Sequence, residues 1–247
     1  MLGRVLIFIY DVVCYLIFLG TFLYAIGFLG NFIVPKGIDG GVLGPRGTAL
    51  LINILLLGLF AIQHSVMARQ GFKRAWTKIV PEPEERSTYV LLSSLLLILL
   101  FWQWRPMTGI VWDVEHPAGR FILWALFALG WLLVLTSTFL INHFDLFGLR
   151  QVYLHLVGKK PTPITFKTPG LYKYMRHPLC LGWFFAFWST PTMTVGHLVF
   201  AIVTTAYILL AIQFEEKDLI SFFGDAYRQY QQRVSMIIPF RLSKKKT

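Results

Sequence analysis

Two polar clusters bracket an apolar stretch near the C-terminal end of this chain. The first is Arg176-His177-Pro178, and the second is the adjacent carboxylate pair Glu215 and Glu216. A proline directly after His177 suits the first turn of a helix, where its missing N–H would have no partner in any case. Because Pro191 interrupts the apolar stretch, we expect a helical hairpin that returns both clusters to the same side of a membrane.

This arrangement allows two interpretations. Carboxylates beside aromatic faces attract a compact organic cation, and aromatic residues make up 16% of the chain. Alternatively, Glu215 and Glu216 begin a surface helix and pair with Arg176 or Lys217. The residue chemistry alone leaves both interpretations open.

Other kinds of site have no support in the sequence. The chain contains no phosphate-binding loop, no glycine-rich dinucleotide fingerprint and no nucleophile elbow. Its histidines lack the paired spacing that a metal- or haem-binding bundle needs, so we expect no metal. Cys14 and Cys180 lie in separate apolar runs, which makes a structural disulfide unexpected.

The composition is that of an integral membrane protein. Of the residues, 56% are hydrophobic and 14% are charged, whereas a soluble domain carries about 25% charged residues. The apolar runs are too long and unbroken for the strands of a barrel. We therefore expect an all-α fold, a polytopic bundle of transmembrane helices.

The apolar runs predict five to six membrane segments. They cover residues 5–34, 48–68, 87–104 and 120–141, followed by hairpin arms at about 179–190 and 193–213. The first arm has about half the length of a spanning helix, which needs roughly 20 residues. Asp11 is the one charge in the first run, and we expect it to snorkel to the interface.

Apolar residues spaced by three and four continue beyond the two glutamates. They are Leu219, Phe223, Tyr227 and Tyr230. This spacing predicts an amphipathic C-terminal helix that lies on the membrane or folds over the site.

The lysines and arginines predict the orientation. If both termini are cytoplasmic, only Lys36, Arg46, Arg105 and Arg120 of the 23 basic residues fall on the outer side. Such a bias is typical of cytoplasmic loops. The net charge of +11 therefore reflects orientation and contact with membrane lipid, as at residues 244–246, and we expect no nucleic-acid partner.

The last third of the chain resembles the isoprenylcysteine carboxyl methyltransferase family of membrane enzymes. The shared pattern is Gly170-Leu171-Tyr172, Arg176-His177-Pro178, Gly182, Glu215-Glu216, Leu219, Phe223-Gly224, Tyr227, Tyr230, Val234 and Pro239. Nearly the whole chain, including residues 142–150 and 191–197, is similar to the bacterial enzymes of this kind that methylate methanethiol to dimethyl sulfide with S-adenosylmethionine.

The resemblance implies a single methyltransferase domain over residues 1–247, with four spans in 1–141 and the catalytic part in 142–247. It places the enzyme in the bacterial inner membrane with a cytoplasmic active site. It also implies that the cofactor is S-adenosylmethionine and that the partner is a small thiol. Glu215 would bond the amino or ribose groups of the cofactor, and His177 would bond its carboxylate.

The resemblance carries a cofactor site over to particular residues of this chain. An approach strand at residues 164–167 and the first turn after His177 belong to it. The full set is Ile164, Thr165, Phe166, Lys167, Tyr172, Arg176, His177, Pro178, Leu179, Cys180, Gly182, Glu215 and Glu216. Cys180 is a departure, because the family usually has a tyrosine there.

A thiol substrate would need a proton acceptor, because the thiolate is the nucleophile. His143 and Asp145, together with Asn142, are our candidates at the cytoplasmic end of the fourth span. The alternative is that they cap a helix beside a structural turn.

The substrate prediction rests on one departure from the carboxyl methyltransferases. They usually carry an arginine where this chain has Ala211, so a carboxylate substrate would lose a two-pronged cation partner. A small thiol instead needs an apolar pocket, which four aromatic residues would help to line. They are Trp183, Phe184, Phe187 and Trp188.

Three further interpretations stay open. One is another methyltransferase on the same framework, acting on a lipid amine or a prenyl-cysteine carboxyl group. Another is a reductase with a nicotinamide cofactor, since some sterol reductases share the C-terminal pattern. The third is a non-catalytic membrane component, although a transporter would show mid-span charges or paired broken helices.

Overall fold

The computed structural model describes residues 1–160 and 165–239 of the chain, which form a bundle of α-helices. The elements are α1 (Leu2–Gly30), α2 (Arg46–Ala68), α3 (Gln70–Trp76), α4 (Glu85–Gln103), β1 (Ile110–Asp113), α5 (Pro117–Ile141), α6 (His143–Leu146), α7 (Leu149–Leu156), α8 (Pro178–Trp188), β2 (Thr192–Thr194), α9 (Val195–Phe223) and α10 (Asp225–Arg233). Short 3₁₀ turns occupy Glu82–Glu84 and Gly170–Lys173.

Within the described residues, five helices are long and apolar enough to cross a membrane. They are α1, α2, α4 with the preceding turn, α5 and α9. This confirms the expected all-α polytopic fold, and the protein is an integral membrane protein. The predicted C-terminal hairpin is also present, with α8 and α9 as its arms.

The first arm of the hairpin is too short to span a membrane on its own. α8 has 11 residues, which extend about 16 Å, whereas a hydrocarbon core is about 30 Å thick. At its far end β2 pairs antiparallel with β1, where Trp112 lies opposite Met193. The two-stranded ladder completes the arm and was not predicted from the sequence.

α8 packs closely against α5 because two glycines face each other. A Cβ atom at Gly130 would lie 2.7 Å from the carbonyl oxygen of Gly182, and one at Gly182 would lie 2.8 Å from the carbonyl oxygen of Gly130. Small residues of this kind let membrane helices approach backbone to backbone. The contact fixes α8, and therefore His177 at its start, against α5.

Aromatic rings fill the space between α1, α5, α8 and α9. Trp183 stacks on Phe187 with ring centroids 5.3 Å apart, and it meets Trp131 edge-on at 5.4 Å. Phe187 in turn meets Phe200 of α9. Edge-to-face and offset pairs are the favoured geometries of aromatic rings, and here they hold the hairpin to the rest of the bundle.

The expected interfacial position of Asp11 is wrong. Asp11 is fully buried, and the Ser87 hydroxyl of α4 donates a hydrogen bond to its carboxylate. Gly148, which has a φ of +98°, brings its backbone against both groups, so that a Cβ atom there would lie 2.8 Å from the Ser87 oxygen. Asp11 therefore ties α1 to α4 and to the turn before α7.

We expected the hairpin to end at the two glutamates, but α9 continues beyond them to Phe223. Its 29 residues extend about 44 Å, which is more than the hydrocarbon core requires. Gly224, with a φ of +58°, ends the helix and begins α10. The predicted amphipathic segment is thus split between the last turns of α9 and the separate helix α10.

Candidate active site

The start of α8 is held by the segment that follows α10. Pro178 occupies the first turn of α8, as expected. The backbone N–H groups of Arg176 and His177 donate to the carbonyl oxygens of Ser235 and Met236, at 2.9 Å each. This short parallel pairing brings the two ends of the motif together and orients the His177 side chain.

Glu216 is the centre of a buried polar cluster that joins α8, α9 and α10. Arg176 Nε lies 2.7 Å and His177 Nε2 lies 3.0 Å from its Oε1 atom. Gln231 Nε2 donates to Oε2 at 2.7 Å, and the Tyr227 hydroxyl donates to Oε1 at 3.3 Å. Arg176 Nη2 donates to Oε2 at 3.4 Å, so four donor side chains converge on the carboxylate of a residue that is 8% exposed.

Arg176 also closes the end of α10. Its Nη1 atom donates to the carbonyl oxygens of Gln231 at 2.9 Å and of Val234 at 3.1 Å. A guanidinium group has donors on both edges, so it can serve a carboxylate and a helix C-terminus at once. Arg176 and Glu216 accordingly hold the architecture of the site.

Glu215 has a different environment from its neighbour. Its side chain is 57% exposed, and its carboxylate lies 3.7 Å from His177 Nδ1. Consecutive helical residues point about 100° apart, which turns Glu215 away from the Arg176 cluster. The exposed carboxylate beside a buried imidazole can accept hydrogen bonds from a ligand.

Aromatic rings form one wall near these carboxylates. Phe166 lies 5.3 Å from Phe223, 5.9 Å from Tyr227 and 5.4 Å from Tyr230, measured between ring centroids. The Tyr230 hydroxyl donates to the carbonyl oxygen of Tyr172 at 2.5 Å. These contacts bring the segment that contains Phe166 and Tyr172 onto α9 and α10.

The tyrosines of this region are neutral phenols. Burial and the charges of Glu216 and Glu215 raise the pKa of Tyr227, and burial raises the pKa of Tyr230 to about 12. Burial also raises the pKa of Tyr172, followed by the charge of Glu215. A phenol of this kind donates a hydrogen bond and adds no negative charge to the two glutamates.

The remaining residues assigned to the cofactor have mixed positions. Thr165 and Lys167 are exposed, Leu179 and Cys180 are half-buried in the first turn of α8, and Ile164 lies outside the described residues. Residues 165–167 adopt no strand, so the described part of the expected approach strand is irregular. Gly182 is buried against α5, where the close helix contact requires its missing side chain.

His143 lies in a second cluster whose described hydrogen bonds lead to α1 and α5. It is 4% exposed, and its ring stacks on Phe139 at 4.2 Å. The Thr138 hydroxyl donates to the carbonyl oxygen of Leu135, so it accepts from His143 Nδ1 at 2.9 Å. His143 Nε2 is then left to accept from the Tyr15 hydroxyl, also at 2.9 Å.

Asn142 and Asp145 form the turn beside His143. The Asn142 side chain donates to the Asp145 carboxylate and accepts from the Asp145 backbone N–H, as an N-cap of α6. Arg150 Nη1 lies 2.6 Å from the same carboxylate. These contacts are those of a structural turn, while the catalytic assignment of the three residues stays a prediction.

Several residues of the site had no signal in the sequence. Gln231 and the backbone of residues 234–236 contact Glu216, Arg176 and His177 only because α10 folds back over α9. Tyr15, which is 128 residues from His143, likewise lay in an unremarkable apolar run. Only the amphipathic spacing of Tyr227 and Tyr230 pointed to this packing.

The sequence of this chain is similar to that of known proteins along most of its length. The family model described as NnrU protein matches residues 52–215. The chain is 57% identical over 239 residues to the methanethiol S-methyltransferase of Crocosphaera subtropica, a match that covers 97% of this chain and 94% of that protein. No solved structure matches the chain with significance.

Two further relatives match along nearly the whole chain. The methanethiol S-methyltransferase of Mycobacterium tuberculosis is 59% identical, with coverage of 96% of this chain and 97% of that protein. The methanethiol S-methyltransferase 1 of Bradyrhizobium diazoefficiens is 58% identical, with coverage of 96% and 83%. The chain therefore belongs to the NnrU family and is a relative of the methanethiol S-methyltransferases.

Proposed function

We propose that this protein is an S-adenosylmethionine-dependent methyltransferase that methylates a small thiol, namely methanethiol, and releases dimethyl sulfide. The near full-length similarity to proteins named methanethiol S-methyltransferase supports the substrate. The observation that carries the cofactor assignment is the contrast between the two glutamates. The Glu216 carboxylate already contacts four donor side chains of the protein, whereas the Glu215 side chain is exposed beside His177.

The residues present suit such a cofactor. Glu215 would accept from its amino or ribose groups, and the Phe166 ring, packed on Tyr230, offers an aromatic face to its cation. The N-terminus of α8, at Leu179 and Cys180, favours a carboxylate through its positive end. When bound, the cofactor would supply a sulfonium methyl group; a thiolate would attack that methyl carbon in line, and the rest of the cofactor would leave as a neutral thioether.

The proton acceptor is assigned to the cluster at the end of α5. His143 Nε2 accepts from the Tyr15 hydroxyl, and burial lowers the pKa of His143. The imidazole is therefore neutral at physiological pH and can take a proton that Tyr15 passes on. Asp145 and Asn142 would hold the turn that carries His143.

The substrate should be neutral when it arrives. Ala211 lies one turn before Glu215 on α9, within an apolar part of the helix. A carboxylate bound there would lack the planar cation that such a group favours. An uncharged small thiol has no charge to remove from water and needs no such cation. We therefore favour it over a prenyl-cysteine carboxyl group.

We further propose that the protein lies in the bacterial inner membrane with both termini and the site facing the cytoplasm. The bias of lysine and arginine toward one set of loops supports this orientation. The open side of the site would then face the compartment in which S-adenosylmethionine is made.

Purified protein supplied with S-adenosylmethionine carrying a labelled methyl group tests the proposal. One sample receives methanethiol and a parallel sample receives a prenyl-cysteine analogue. Labelled dimethyl sulfide in the headspace of the first sample is the expected result. Labelled methyl ester from the analogue, without dimethyl sulfide, would overturn it.

A further inference from the structure

An apolar cavity lies between the membrane-spanning helices α2 and α9, and it is partly open to the surface of the bundle beside the exposed residue Ile54. Its volume is about 120 Å³. Its walls are Ile54, Leu57, Gly58, Phe60 and Ala61 from α2, and Val203, Thr204 and Tyr207 from α9. The Thr204 hydroxyl is engaged with the Phe200 carbonyl of its own helix, which reduces the polarity of this wall further.

The size and lining of the cavity restrict what it can hold. Pockets for drug-sized ligands have volumes of about 300–1,000 Å³. An apolar cavity of about 150 Å³ in another protein stays free of water and binds benzene. A molecule of a few heavy atoms without charge is therefore the chemical class that this cavity suits.

The wall of the cavity continues along α9 to the candidate active site. Tyr207, Ala211 and Glu215 are spaced by four residues, which places them successively along one side of the helix. Two steps of four residues correspond to about 12 Å along the axis. The stretch between the cavity and Glu215 is thus two helical turns long.

A polar network borders the cavity where α2, α4 and α9 meet. The Ser65 hydroxyl donates to the Tyr207 hydroxyl at 3.2 Å, and Tyr89 lies 2.9 Å from His64 Nδ1. The Phe60 ring, which lines the cavity, stacks on His64 at 5.2 Å. Polar side chains within membrane spans are costly unless they serve packing or function, and here they lie next to an apolar space.

We propose that this cavity is a holding site for the small thiol substrate, from which the thiol reaches the methyl donor near Glu215. The inference rests on the proposed function for the identity of the ligand. Its physical basis is the match between a small, uncharged, largely apolar thiol and a small apolar cavity whose α9 wall lies two helical turns from Glu215. Filling the cavity should weaken thiol binding without disturbing the cofactor site.

Gly58 allows a clean test. A Cβ atom at Gly58 would meet no other atom within 4 Å, so Gly58→Leu can fill the cavity from α2 without steric conflict at its base. Gly20 on α1 is equally free of neighbours and lies on an exposed face, so Gly20→Leu is the matched control. Both replace a glycine within a membrane-spanning helix.

Methanethiol binding is measured first without cofactor, by saturation-transfer NMR on purified protein. We expect Gly58→Leu to weaken it about 10-fold or more, and to raise the KM for methanethiol in turnover by a similar factor. The affinity of Gly58→Leu for S-adenosylmethionine should match that of the parent. Gly20→Leu should match the parent both in methanethiol binding and in its KM for methanethiol. Val203→Ala, which enlarges the cavity, should improve propanethiol relative to methanethiol.

The outcomes separate this inference from the proposed function. If Gly58→Leu abolishes thiol binding but the parent forms no dimethyl sulfide, the cavity assignment stands and the proposed function fails. If the parent forms dimethyl sulfide and Gly58→Leu binds and methylates methanethiol like the parent, the cavity assignment fails. An effect confined to lipid retention or detergent stability would identify an acyl chain as the occupant and also overturn it.

Discussion

The Nε2 atom of His177 lies 3.0 Å from Oε1 of Glu216, in a cluster that leaves the Glu216 side chain 11% exposed. Glu215, the preceding residue, faces the other ring nitrogen of His177 at 3.7 Å with 57% of its side chain exposed. His177 thus bridges a structural carboxylate and an accessible one. The two glutamates should consequently respond to mutation in different ways.

Glu216→Ala should damage the fold, whereas Glu215→Gln should damage ligand binding. Without Glu216, the Arg176 side chain, which is 12% exposed, loses its carboxylate partner. Breaking a buried ion pair costs about 3–5 kcal/mol, and we expect the lower part of that range because backbone carbonyls still hold Arg176. The measurement is the thermal unfolding midpoint in detergent.

Glu215→Gln should leave that midpoint unchanged. Loss of one charge-assisted hydrogen bond, worth about 1.5–3 kcal/mol, should weaken S-adenosylmethionine binding roughly 10- to 150-fold in calorimetric titration. Glu215→Asp serves as the control that keeps the charge. The assignment is wrong if Glu215→Gln unfolds the protein or binds the cofactor like the parent.

Much of the fold follows from features that are local in sequence. Long apolar runs identify the five spanning helices, and Pro178 marks the start of α8. The end of α9 was missed because apolar spacing continues across Gly224, and only the left-handed backbone there separates the two helices. A glycine gives no indication by itself of whether its φ is positive.

The features that sequence analysis missed depend on which helices become neighbours. Asp11 lies near the start of an apolar run, but whether a carboxylate there meets lipid headgroups or a hydroxyl on α4 is decided by tertiary packing. The ladder of β1 and β2 joins four and three residues from distant parts of the chain. The partners of Glu216 on α10 have the same origin.

The contact between Gly130 and Gly182 predicts a position-specific loss of stability. In Gly182→Val, the new Cβ atom would lie 2.8 Å from the Gly130 oxygen and 2.8 Å from the Val134 nitrogen. Overpacking of this kind costs about 1–3 kcal/mol, and it should lower the unfolding midpoint by separating α5 from α8. Gly20→Val, on an open face of α1, is the control and should unfold at or above the parent midpoint.

The loss of stability expected for Gly182→Val cannot be relieved by a change of side-chain rotamer in the two nearest atoms. The two atoms nearest to a Cβ at Gly182, the Gly130 oxygen and the Val134 nitrogen, belong to the backbone of α5, so they have no side-chain rotamer with which to yield. Equal midpoints for Gly182→Val and Gly20→Val would show that the two helices do not meet at these glycines.

His143 should make the stability of the protein depend on pH. Burial lowers its pKa in the folded state, whereas an unfolded histidine titrates near 6.5. The unfolded state then binds more protons below about pH 6.5, so stability is retained above that pH and declines as the pH falls toward the folded pKa. The unfolding midpoint measured from pH 7.5 down to pH 5 should show this decline.

His143→Gln is the matched variant for the pH experiment. Its amide can still donate and accept toward Thr138 and Tyr15, but it does not titrate. The parent should therefore lose more stability than the variant on acidification. Parallel curves for the two proteins would show that His143 is not buried as a neutral imidazole.

The orientation of the bundle can be tested with cysteines that react from one side of the membrane. The native Cys14 is buried and Cys180 is half-buried in α8, so Cys180→Ser gives a background of low reactivity. Lys78→Cys and Lys160→Cys probe the two exposed, basic loops that we assign to the cytoplasm. Val42→Cys, at a residue that is 79% exposed in the α1–α2 connection, probes the opposite side.

In intact cells, a membrane-impermeant maleimide should label position 42 and leave positions 78 and 160 unlabelled, because lysine- and arginine-rich loops are retained in the cytoplasm. Membrane disruption should then expose all three positions, which checks that each cysteine is reactive. Ready labelling of position 160 in intact cells would reverse the assigned orientation and move the Glu215 site away from its supply of S-adenosylmethionine.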